Sequence, residues 1–165
     1  MQNDFVDGSL GTKEALDIVD NVVNKINNFD GEIIATYDTH FENYLNNLEG
    51  KNLPVKHCIK GTDGWPINHK VASALNKKSF TALEKFTFGS KELPQLLIDK
   101  AKNEDFTIEL IGLCTDICVV SNALIIKATF PDAQVKVDSA CCAGVTPESH
   151  EAALKTMQMC QVEVV

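Results

Sequence analysis

The sequence predicts an α/β fold, a doubly wound parallel sheet, and three observations carry that expectation. Short β-rich runs alternate with stretches of helical periodicity along the whole chain, the pattern of right-handed βαβ crossovers and of a parallel sheet covered on both faces. The run 108–123, IELIGLCTDICVVSNA, passes from an apolar strand through Gly112 and a Cys-bearing turn straight into a helical pattern. A content of 44% hydrophobic residues in 165 is ordinary for one soluble domain, 1–165, with its own core. In such sheets the site lies beyond the carboxyl ends of the strands.

Taken in order, residues 1–10, MQNDFVDGSL, are polar and turn-rich and read as a loop. Apolar residues recur at helical spacing over 12–27, with Thr12 as the cap and Glu14 in the first turn. Gly31 ends that pattern, and EIIATY over 32–37 is a short strand with Asp38 and His40 at its C-terminal end. Residues 41–64 hold Asn, Gly and Pro with little periodicity, a long loop that carries Glu49 and His57. A short helix follows over 70–76, then a strand over 80–84 ending at Lys85, and a helix over 92–102 with Pro94 in its first turn. The strand 106–113 feeds the helix that starts near Cys118 and runs to 128. A strand over 133–138, a helix over 147–159 with Glu148 early, and a strand over 161–165 complete the chain. Asp38, Lys85 and Cys118 all follow strands, which places them at one edge of the sheet.

Composition narrows the function. The formal net charge of -8, with no basic patch, excludes nucleic acid and anionic membrane as partners and leaves a small molecule. No apolar run is long enough to cross a bilayer, and no repeat or low-complexity tract is present. The six cysteines sit mostly in or beside apolar segments, and the opening residues do not read as a signal peptide, so reduced thiols and a cytoplasmic location are expected.

Two groups of residues carry chemistry. A thiol at the start of a helix, as at Cys118, meets the partial positive charge of the helix end, which favours the attacking thiolate. Thr115 and Asp116 are capping residues just ahead of it, and the same N–H groups suit an oxyanion. Plain core packing is the competing reading of Cys114 and Cys118. Asp38, His40 and the distant His57 offer one carboxylate and two imidazoles, ligand types of zinc, iron or manganese, and Glu49 completes a set of four. On its own, Asp-x-His fits a solvated loop better. Lys85, flanked by Phe86 and Phe88, is either a surface lysine lying along those rings or a cation that stabilises a thiolate and oxyanion. Trp65 walls a pocket or simply packs. His69 and His150 are assigned to exposed positions without a role.

Together MQNDFVDGSL, TYDTH, LPVKHCIKGTDGW, EKFTFGS and GLCTDICVVSNAL resemble the isochorismatase-like cysteine hydrolases, and within them most of all the nicotinamidases (pyrazinamidase/nicotinamidase). The likeness runs nearly end to end. It implies a Rossmann-like three-layer α/β/α fold and the hydrolysis of nicotinamide to nicotinate and ammonia through a cysteine thioester, a step of NAD salvage. By the resemblance Cys118 is the nucleophile, Lys85 the triad lysine, and the amides of Cys114 and Cys118 the oxyanion hole, with a cis peptide between Leu113 and Cys114. Asp38, His40 and His57 match the ligands of a divalent metal, zinc first with manganese or iron as alternatives, which binds the pyridine nitrogen. Where many members carry a further His this chain has Asn46, and Glu49 is the substitute ligand. Phe5 matches an aromatic that lines the pocket.

The family's catalytic Asp lies two residues before the Gln of Gln2-Asn3-Asp4-Phe5, which is ahead of Met1, and Asp4 matches a later Asp of that motif. The first, central strand that carries it is likewise missing, so Met1 is expected to be internal to a longer natural chain. Two other readings stay open: another cysteine amidase of the superfamily acting on a carbamoyl or ureido substrate, and a truncated non-catalytic paralogue. Members are commonly oligomeric, which implies a homo-oligomer here.

Overall fold

The computed structural model describes residues 1–101 and 106–165, which divide into two compact units, Met1–Phe86 and Thr87–Val165. In the first unit, residues expected as a loop form a short helix, α1 (Asn3–Val6), pinned by the buried Val6. The helix expected over 12–27 is two, α2 (Lys13–Asp17) and α3 (Val19–Asn28), separated at Ile18, and Thr12 caps the first by accepting from the Ala15 N–H at 3.0 Å. Strand β1 (Ile33–Asp38) follows. The expected loop beyond it contains a 3-10 turn, Tyr44–Asn46, and a short helix, α4 (Leu48–Asn52). Helix α5 (His69–Leu75) packs on α3, burying Val71, Ala74 and Leu75 of one and Val19, Val22 and Ile26 of the other. Strand β2 (Phe80–Lys85) then pairs with β1 in parallel.

The second unit opens with α6 (Leu93–Ala101); the last residue of the helix expected over 92–102 lies outside the described residues. Strand β3 (Thr107–Leu113) leads through a π-helical turn, Thr115–Val119, into α7 (Val120–Thr129). Strand β4 (Gln134–Ala143) runs well past its expected end at 138, because the register with β3 slips between Leu110 and Gly112 and then resumes with Gly112 opposite Cys142. Gly112 has φ +116°, a conformation that a residue with a Cβ rarely adopts. Helix α8 (Pro147–Met159) has the expected bounds, with Pro147 at its start and a capping box between Thr146 and Ser149. A short strand, β5 (Glu163–Val164), completes a three-stranded sheet in the order β3-β4-β5. All three ladders, β1 with β2 and β4 with β3 and β5, are parallel, as the alternation of strands and helices predicts. Among the described residues no helix is long and apolar enough to cross a membrane.

Candidate active site

Strand β1 ends at Asp38, and the parallel register sets it opposite Lys85, the last residue of β2. Both side chains are buried, 4% and 3% exposed, and Lys85 Nζ donates to Asp38 Oδ1 at 2.9 Å. Lys85 is therefore not a surface lysine, although Phe86 and Phe88 beside it are exposed. Burial pushes the Asp38 carboxyl up, but the bond to His40 and the Lys85 ammonium outweigh it and hold the group below its ordinary range.

The other Asp38 oxygen, Oδ2, faces two imidazoles, His40 Nε2 at 3.1 Å and His57 Nε2 at 3.7 Å. Glu49 Oε1 closes the group at 3.5 Å from His40 Nε2 and 3.7 Å from His57 Nε2. One donor atom from each of the four residues lies within 4.8 Å of the others. Neighbouring ligands on a tetrahedral ion with arms of about 2.1 Å are roughly 3.4 Å apart, so the imidazole–carboxylate spacings suit a divalent metal. The chemistry agrees. His57 Nδ1 lies 2.8 Å from the Val55 carbonyl, which can only accept; that bond keeps the N–H on Nδ1 and turns Nε2 to the cluster. Two imidazole nitrogens and two carboxylates fit zinc, manganese or iron.

Backbone and side-chain ties fix each of these groups. Gln2 is 2% exposed; its Nε2 donates to the carbonyls of Asp38 and Trp65 at 2.8 and 2.7 Å, and its Oε1 accepts from the Asp38 N–H at 2.7 Å. Cys58, next to His57, has φ +45°, and its N–H donates to Asp4 Oδ2 at 2.7 Å. The His40 N–H donates to the Cys58 carbonyl at 3.0 Å, tying the two histidine segments together. Glu49 stands in the first turn of α4, whose cap Asn47 accepts from the Gly50 N–H at 2.7 Å. Asn46 is exposed. Tyr44 is buried edge-on against both imidazoles, and burial with the Glu49 and Asp38 carboxylates pushes its phenol up to about 12. The Phe5 ring lies 5.5 Å from that of His57. Trp65 donates from Nε1 to Thr39 Oγ1 at 3.0 Å and carries the Lys60 ammonium 5.6 Å above its ring.

In the second unit β3 delivers the cysteine turn. The Leu113–Cys114 peptide is cis, as the resemblance implies. Cys114 and Cys118 are half-buried, and Cys118 sits inside the π-helical turn rather than at the first turn of an α-helix. Asn122, 6% exposed, donates from Nδ2 to the carbonyls of Cys118 and Phe88 at 2.8 and 3.3 Å and accepts from the Ser90 N–H at 2.9 Å. Asp116 accepts from the Val145 N–H at 3.2 and 3.3 Å. His69 is exposed as expected, but His150 is not: it is half-buried, with Nδ1 2.8 Å from the hydroxyl of Thr115. All six cysteines carry thiols rather than disulfides, and burial pushes the thiols of Cys58 and Cys142 up, the latter to about 12.

The structure thus gathers Asp38, His40, Glu49, His57 and Lys85 in the first unit, with Phe5 against His57, and sets Cys114 and Cys118 on one turn of the second. Sequence reasoning missed Gln2, Tyr44 and Asn122, and it read Thr115 as a cap where its hydroxyl instead meets His150; the long-range partners of these groups come from tertiary contacts.

The sequence profile of the isochorismatase domain matches residues 1–165. The chain belongs to the isochorismatase family. Solved structures similar to this isochorismatase-family chain include the nicotinamidase/pyrazinamidase of Bacillus subtilis, with a TM-score of 0.84 at 23% identity over 99% of this chain and 94% of that one. The pyrazinamidase/nicotinamidase of Streptococcus mutans gives 0.84 at 26% identity, over 99% of this chain and 95% of that one. The pyrazinamidase of Pyrococcus horikoshii, solved in complex with zinc, gives 0.80 at 23% identity over 100% and 94%. No curated protein matches the chain by sequence. The isochorismatase family is one of hydrolases, and the fold of this member is shared with amidases.

Proposed function

We propose that the chain is a nicotinamidase-type amide hydrolase that converts nicotinamide to nicotinate and ammonia through a thioester on Cys118. The observation that carries this reading is the cluster of the buried Asp38, His40 and His57 with the half-buried Glu49, and Lys85 paired to its aspartate. Family membership and the zinc of the Pyrococcus relative support it. Asp38, His40, His57 and Glu49 would hold a divalent metal, zinc first with manganese or iron as alternatives, which when bound supplies a Lewis-acid anchor for a ring nitrogen. Phe5 and Trp65 offer aromatic walls to a flat ring.

Cys118 adds as thiolate to the carboxamide carbon, and the amides of Cys114 and Cys118 hold the oxyanion. The general base would be the family's catalytic Asp, which the resemblance sets two residues before Gln2: it would take the thiol proton and, as the C–N bond breaks, return it to the amine, which departs as ammonia. Water then adds to the thioester, the C–S bond breaks, and the acid leaves as the sulfur regains a proton. Lys85 takes the part of the triad lysine, an ammonium that favours the thiolate. With this substrate the chain serves NAD salvage in the cytoplasm, and the family likeness makes a homo-oligomer the expected state.

Ammonia release from nicotinamide by the metal-loaded protein at its natural length, with the catalytic Asp expected ahead of Met1, tests the reading. Cys118→Ala should lower turnover by at least about a thousandfold while metal content stays at the parent's level. Unchanged turnover in that variant would refute the nucleophile, and no release from a folded, metal-loaded parent would turn the assignment toward carbamoyl or ureido amides.

A further inference from the structure

We propose that His150 is a positioning residue for the Cys118 turn, acting through the hydroxyl of Thr115; the inference rests on the reading of Cys118 as the nucleophile. Thr115 follows Cys114 directly, and its side chain is 0% exposed. A hydroxyl buried so completely is costly unless it is bonded, and the bond runs to His150 Nδ1 at 2.8 Å, its direction set by the ring tautomer. The partner comes from the start of α8, 35 residues further along the chain.

That start is itself fixed. The Thr146–Ser149 capping box closes the first turn of α8, and the His150 N–H donates to the Thr146 carbonyl at 3.0 Å. A Cβ on Gly144 would stand 2.9 Å from the His150 nitrogen, so glycine alone lets the chain leaving β4 pass this close to the helix. The two bonds from the Val145 N–H to the Asp116 carboxylate add a second tie between the same segments. The first two residues of the π-helical turn, Thr115 and Asp116, are thus both anchored to residues 145–150. On the far side Asn122 holds the Cys118 carbonyl.

A π-helical turn carries one residue more than the α-helical repeat and persists where other contacts hold it. Relaxation to the α repeat would rotate the turn against α7 by as much as roughly 100°, one residue's worth, and carry the Cys118 thiol and N–H with it. The bond between His150 and Thr115 opposes that rotation at the end of the turn next to Cys114.

Four variants test the inference. Thr115→Val removes the hydroxyl at constant shape and His150→Leu removes the ring nitrogen, whereas Thr115→Ser and His150→Asn keep a hydrogen-bonding group in the same place. Alkylation of Cys118 by iodoacetamide, followed site by site by mass spectrometry, reads the turn without a substrate; kcat and KM for nicotinamide read it with one. In Thr115→Val and His150→Leu the alkylation rate and kcat should each fall about tenfold, the scale of one hydrogen bond, with KM within about twofold. The double variant should lose no more than the worse single, and the Ser and Asn variants should keep most of the parent's rates. Folded Val or Leu variants that alkylate and turn over at the parent's rate overturn the proposal, as do losses that multiply in the double variant. His150→Leu decides where Thr115→Val does not fold. A parent whose Cys118 alkylates no faster than the exposed Cys160 overturns the nucleophile reading and this proposal with it.

Discussion

Lys85 and Asp38 act as one electrostatic unit. A buried carboxylate without its ammonium would be a buried charge short of its partner, and removing one member of such a pair costs about 3 to 5 kcal/mol. Lys85→Met should therefore lower the urea-unfolding stability of the chelator-treated protein by about that amount at pH 7. The pH dependence has a definite sign. The Asp38 carboxyl lies below its ordinary range in the fold and near about 3.9 in the unfolded chain, so the unfolded state takes up the proton first as pH falls. Its contribution is present above the unfolded value and is lost as pH drops through the folded one. In Lys85→Met burial acts against the charged form with the Lys85 ammonium gone, so the variant's deficit should shrink toward pH 4. An equal deficit at pH 4 and pH 7 would remove the pair from the account. None of this could be read from Glu84-Lys85-Phe86, where flanking aromatics left the lysine equally well at the surface. The partner is 47 residues away and arrives through the register of a parallel ladder.

At the scale of elements, α4 shows what the sequence conceals. Five residues are too few to display a helical period, so the segment reads as loop; its structure comes from the Asn47 cap and from the packing of Gly50 against the 3-10 turn. A Cβ at Gly50 would collide with the carbonyl of Tyr44, so Gly50→Ala should displace the turn that presents Glu49. The expected result is a loss of zinc affinity of about 10- to 100-fold, measured by competition with a chromogenic chelator, as when a group that orients a metal ligand is removed. Affinity at the parent's value would take Glu49 out of the ligand set. Helix α8, by contrast, was legible to the residue, because Thr146 and Pro147 are local start signals that need no tertiary partner. The π-helical turn was not: its apolar spacing reads as ordinary helix, and the extra residue is held by Thr115 and Asp116 through contacts 35 and 29 residues away, with Asn122 bonding the Cys118 carbonyl locally.

Across the molecule, the parallel α/β class was legible because strand and helix signals alternate, and the metal-ligand types because His40 and His57, two of four histidines, come with Asp38 at strand and loop ends. Their convergence was not, since the four donors come from the end of β1, from α4 and from the segment at His57. A site assembled from such dispersed segments exists in the folded chain and not in the unfolded one, so an ion bound there stabilises the whole fold by mass action. At free zinc a hundredfold above Kd the gain is about 2.7 kcal/mol. For a chain of this size each kcal/mol moves Tm by about 2 to 4 °C, so zinc should raise Tm by roughly 5 to 10 °C, and excess EDTA should return it. His57→Ala and Asp38→Asn should abolish the rise, whereas Cys118→Ala should keep it. A rise that survives at full size in both His57→Ala and Asp38→Asn would take the ion away from this cluster, and no rise in the parent would make the four side chains an ionic network alone.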